Sequence, residues 1–105
     1  MNKAERKAEK ARLFLAVAIA RTRLDQARQR KHAVHCERAR AYFAPKPKGY
    51  RPRHVRRAAR EKRADLIARW RITVADERAA ALALKEALAA ARAFRLRCEE
   101  EDNTY

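Results

Sequence analysis

At 105 residues, with one glycine and three prolines, the chain has room for a single domain and too little turn material for a many-stranded sheet. Alanine, arginine, leucine, glutamate and lysine dominate; they lose little rotamer freedom in a helix, so the composition points to an all-α fold. The net charge of +15 sets chain repulsion against compactness unless an anionic partner relieves it, and the two cysteines, Cys36 and Cys98, exclude a disulfide framework.

Asn2 and Glu5 are spaced as a capping box, which predicts a helix starting near residue 3. Ala4, Ala8 and Ala11 then share one face. The basic residues before the apolar run Leu13–Ala20 give this segment some likeness to a secretion leader. Glu5 and Glu9 interrupt the basic part, and the helical period continues through Arg21, so no leader is expected. A seam of alternating spacings follows at Leu13, Val17, Ala20, Leu24, Ala27, Lys31, Val34, Arg38 and Ala41. Its two breaks, Lys31 and Arg38, lie where charge replaces apolar residues. The first helix is expected over 3–43.

Residues 44–52 contain Pro45, Pro47, Gly49 and Pro52, the one place where the chain must leave helical geometry. Pro52 is suited to the first position of a second helix, expected over 52–98. Its seam is read at Ile67, Trp70, Val74, Glu77, Ala81, Leu84, Leu88, Ala91, Arg95 and Cys98, with Phe94 and Leu96 beside it. The acidic run Glu99–Asp102 opposes the helix dipole, so 99–105 is expected as a mobile tail.

Two long helices and one short connector predict an antiparallel helical hairpin with a coiled-coil-like seam, forming one domain over 1–98. Folding symmetrically about the loop would pair residues whose numbers sum to roughly 96, placing Leu24 near Ile72 and Val17 near Ala79. One seam does not absorb all the apolar surface. Leu13, Phe14, Val17, Leu24, Ile67, Trp70, Val74, Leu84, Leu88 and Phe94 are candidate packing or protein-interface residues. The surplus predicts a homo-oligomer, a docked protein, or a three-helix bundle made by a break near Thr73, where Thr73 and Asp76 resemble a cap.

Residues 28–63 hold fourteen Lys or Arg against Glu37 and Glu61, along with all three histidines. Arg53, Arg56, Arg57, Arg60 and Arg63 recur at helical spacing, and arginine forks suit phosphate. Lys46, Lys48 and Arg51 extend this patch, and Lys31, Arg38 and Arg40 would add to it from the first helix. Tyr42 and Tyr50 could stack on unpaired bases or pack across the loop. His32, His35 and Cys36 lack the paired cysteine spacing of a structural zinc site, so no metal or other cofactor is expected. Neither a glycine-rich phosphate loop nor a nucleophile elbow is present, and no enzymatic activity is expected.

These features favour nonspecific binding of DNA or RNA by a basic hairpin tip, inside the cell or within a larger particle. The alternative is a coiled-coil structural or regulatory protein, as in a phage or secretion assembly, whose tip docks an acidic protein surface. The basic, alanine-rich, long-helix style resembles that of small ribosomal and virion nucleic-acid-contacting proteins, a likeness of composition alone. No membrane partner is expected, because no apolar run approaches the ~20 residues that span a bilayer.

Overall fold

The computed structural model describes residues 1–45 and 49–104. They form an all-α helical hairpin of two helices, α1 (Lys3–Phe43) and α2 (Arg53–Asn103), with no strand among the described residues. The expected capping box opens α1: the Glu5 amide donates to Asn2 Oδ1 at 2.8 Å, and the Asn2 amide donates to Glu5 Oε2 at 3.2 Å. α2 starts differently. The Pro52 carbonyl accepts from the Val55 and Arg56 amides at 3.1 Å, so Pro52 stands just outside the helix rather than in its first position. Gly49 has a φ of 101°, which side-chain-bearing residues rarely adopt.

The hairpin divides into two compact units, each built from a piece of both helices: Met1–Gln26 with Arg78–Tyr105, and Ala27–Glu77. In the first unit, Leu13, Val17, Ala20 and Leu24 from α1 are buried, as is Phe94 from α2. Half-buried Ala80, Leu84, Ala87, Ala91 and Cys98 complete the α2 side. Arg6 donates to Glu101 at 2.7 Å and to Asp102 at 2.9 Å. In the second unit, Ala27, Val34, Leu66 and Thr73 are buried. Here Lys31 pairs with Glu77 at 3.2 Å, and Arg69 grips Glu37 with two hydrogen bonds of 2.8 and 3.1 Å.

The expected α1 seam is reproduced from Leu13 to Arg38, and only its last member, Ala41, is exposed. The α2 seam differs from the expected one in four positions. Trp70, Glu77, Leu84, Ala91 and Cys98 face the partner helix as expected and Val74 is half-buried beside buried Thr73, but Leu66, Ala80, Ala87 and Phe94 replace Ile67, Ala81, Leu88 and Arg95. Both rows satisfy helical spacing. The observed one buries Phe94 and releases Arg95, so its only full charge is Glu77.

The register also departs from the symmetric expectation. Partners across the helices have numbers that sum to 106–108 in both units, not 96. Ile72, expected to pack against Leu24, is exposed. The shifted register matches Lys31 with Glu77, Glu37 with Arg69, and Arg6 with the acidic run. In the symmetric register Glu37 would face Ala59, and Arg6 would face Ala90. A nine-residue connector is long enough to allow the slide. Eleven helical residues rise only ~16 Å, whereas nine extended ones reach ~30 Å.

Two further expectations are corrected. α2 continues through residues 99–103 rather than ending at Cys98, because Arg6 neutralises Glu101 and Asp102 where the dipole alone would disfavour them. The third helix does not form. α2 passes unbroken through Thr73, whose hydroxyl donates to the Trp70 carbonyl at 2.8 Å inside the helix instead of capping a new one.

Candidate nucleic-acid interface

The register decides what stands at the tip. Phe43 ends α1 level with about residue 64 of α2, so residues 53–63 run past the end of their partner helix. From Arg53 to Asp65 every residue is exposed except half-buried Ala59. About three turns of α2 therefore stand without α1 beside them.

Arg53, Arg56, Arg57, Arg60 and Arg63 occupy one face of this overhang, set by spacings of three and four. Among the described residues only Arg57 of the five has a carboxylate near it, Glu61 at 3.7 Å, and both side chains are about three-quarters exposed. Arg51, in the connector, joins Arg56, Ala59, Arg60 and Arg63 around a shallow groove of about 280 Å³. Four guanidinium-bearing residues around an open groove present donors in forks that match paired phosphate oxygens. The first turn of α2 contains no acid to compensate the dipole, so its free amides add to the same positive field.

The other candidate cations divide sharply. Arg40 is exposed, with its Nε donating to the Cys36 carbonyl at 3.4 Å. Lys31 and Arg38 are half-buried and used within the hairpin. Both lie over the Trp70 ring, at 5.6 and 5.1 Å from its centroid, and Lys31 also holds Glu77. His35 stands against the same ring at 5.9 Å. Sequence reasoning missed this cluster, although it left a sign: the two charged breaks in the α1 seam fall where α2 supplies its only tryptophan. Lys46 and Lys48 lie outside the described residues.

Tyr42 packs edge-on against Phe43, its neighbour in sequence, with centroids 5.0 Å apart, and Tyr50 is 87% exposed. Both rings are open to solvent. Of the candidate interface residues, Leu13, Val17, Leu24 and Phe94 are consumed by the hairpin core, and Trp70, Val74 and Leu84 are half-buried. Phe14, Ile67 and Leu88 remain exposed.

Cys36 Sγ lies 3.5 Å from His32 Nε2, and both cysteines are free thiols. Among the described residues no three His, Cys, Asp or Glu side chains converge as a metal site would require, and no helix is long and apolar enough to cross a membrane. In a second groove, lined by Met1, Arg6, Glu101 and Thr104, Arg6 and Glu101 are already paired with each other.

Burial does not perturb the ion pairs so much as hydrogen bonding does. The Arg69 fork holds Glu37 below the ordinary carboxylate range, and Arg6 does the same to Glu101. Arg6 and Arg69 are pushed further upward in turn by the carboxylates they bind. No family model, curated protein or solved structure matches the chain.

Proposed function

We propose that the protein binds nucleic acid through the basic tip of its hairpin, as a non-enzymatic module of a larger assembly. The reading rests on one observation above the rest. The register leaves the arginine-rich start of α2 beyond the end of α1, with five arginines on one exposed face and Arg51 beside them. Such an array has no structural task inside the hairpin, whereas Lys31 and Arg38 do. An α-helix with its side chains is ~10–12 Å wide, and the array is long enough to meet several phosphates. No side chain there is arranged to distinguish one base from another, so binding is nonspecific and dominated by counterion release.

The test is a titration of labelled duplex and single-stranded probes at two salt concentrations. If ~6 phosphates are contacted, affinity falls on the order of a thousandfold between about 50 and about 200 mM salt. Combined Arg56→Glu, Arg57→Glu and Arg60→Glu substitution abolishes binding while leaving helix content unchanged. Binding that is absent at low salt, or indifferent to the triple substitution, removes this reading. It would leave the alternative, in which the tip docks an acidic protein surface.

A further inference from the structure

The first unit carries a second face that the hairpin does not use. On α2, Ala79, Leu82, Ala89, Ala93 and Leu96 lie on the side away from α1, and all are exposed; Leu82 is 55% exposed and Leu96 45%. They fall on a single row with spacings of three and four, interrupted only at Glu86. The charges beside this row follow an order. Arg78, Leu82 and Glu86 are spaced by four, and fourteen residues later Arg92, Leu96 and Glu100 repeat the same three types at the same spacing. None of these four charged residues has an ion pair among the described residues.

A repeat of this kind is complementary to its own reverse. Laid antiparallel about Ala89, two copies of the segment bring Leu82 opposite Leu96, Glu86 opposite Arg92, and Arg78 opposite Glu100. Each match occurs twice by symmetry, and Ala89 meets its own counterpart at the axis, where a small side chain allows close approach. Charge supports a second copy as the occupant. Residues 78–105 carry five bases and five acids, so this stretch of α2 is neutral in a chain of +15. The outer face of α1 in the same unit, around Leu15 and Ile19, belongs to a stretch with seven bases and three acids, which would repel its own copy.

We infer that the chain forms a two-fold symmetric dimer in which the 78–100 segments of α2 pack antiparallel, centred on Ala89. This is independent of whether the tip binds nucleic acid. Leu82 and Leu96 are the only large apolar residues on the row, so a dissociation constant in the micromolar range is expected.

Sedimentation of the full chain over a concentration series provides the test. At about 100 µM, where a micromolar constant leaves the dimer dominant, the mass should be twice the 12.2 kDa of one chain. Leu82→Glu with Leu96→Glu should give a monomer with unchanged helix content. Glu86→Arg or Arg92→Glu alone should weaken association about tenfold, and the two together should restore it, because reversal of both partners re-forms each pair. Leu15→Glu with Ile19→Glu should leave the dimer intact. A strict monomer at every concentration overturns the inference. So does a dimer that survives the leucine substitutions, one that is lost with the α1 substitutions, or a double charge reversal that fails to rescue.

Discussion

The contact between Glu37 and Arg69 is the tightest cross-helix fork in the second unit, with both carboxylate oxygens accepting. Its hydrogen bonds lower the Glu37 pKa below the unfolded value. A carboxylate shifted this way stabilises the fold above the unfolded pKa, and the contribution disappears as pH falls through the folded one. Glu101, held by Arg6, shifts in the same direction and adds to the same acid loss. Thermal melts across the acidic range should therefore show stability flat near neutrality and falling below the ordinary carboxylate range. Glu37→Gln should lower the midpoint near neutrality and flatten the acid-side fall. An unchanged pH profile in Glu37→Gln would show that the fork contributes nothing net. Trp70 acts at the same scale. By sitting under Lys31 and Arg38 it turns two seam defects into contacts, which no reading of α1 alone could anticipate.

Among the elements, the two helices begin under opposite conditions. α1 has a reciprocal cap and Glu5 in its first turn, whereas α2 has no acid there and, among the described residues, no side-chain cap. The first three turns of α2 also lack a partner helix and carry like charges at spacings that repel. This stretch is therefore the least stable helical segment of the molecule, and an anion along it would favour the helix. Arg53→Glu places an acid where the dipole favours one, worth about 0.3–1 kcal/mol of helix stability. It should raise the helix signal in circular dichroism at low salt and weaken polyanion binding together. A loss of helix signal would mean that Arg53 makes a stabilising contact of its own. The two helix seams were legible to different degrees. In α1 only one row of apolar residues has the right period, so the expected and observed seams agree from Leu13 to Arg38. In α2 two adjacent rows both qualify, and the choice between them depended on what α1 presented.

Across the whole molecule, charge is distributed unequally. The unit Ala27–Glu77 holds sixteen bases and five acids, a balance of +11 out of the chain's +15. The core opposing this repulsion is thin: no large side chain among the described residues is fully buried. Raising salt from about 10 to about 150 mM shortens the screening length from roughly 30 to 8 Å. Repulsion among exposed arginines should lose more than the short ion pairs do, so the melting temperature should rise, by about 4–8 °C for each kcal/mol gained. A fall with salt would show that the cross-helix pairs outweigh the repulsion.

The amino-acid sequence determined the helices and the place of reversal, because both follow from local chemistry. A run free of proline and glycine with an Asn2–Glu5 cap forms a helix, and the Pro45–Pro52 segment cannot. It also located the basic third of the chain. The tertiary structure alone decided the register, because a nine-residue connector tolerates a slide of several turns and only cross-helix matching selects among the possibilities. From that slide come the exposed arginine overhang, the internal use of Lys31 and Arg38, and the pairing of the acidic run with Arg6, since each depends on which residue of one helix stands level with which residue of the other.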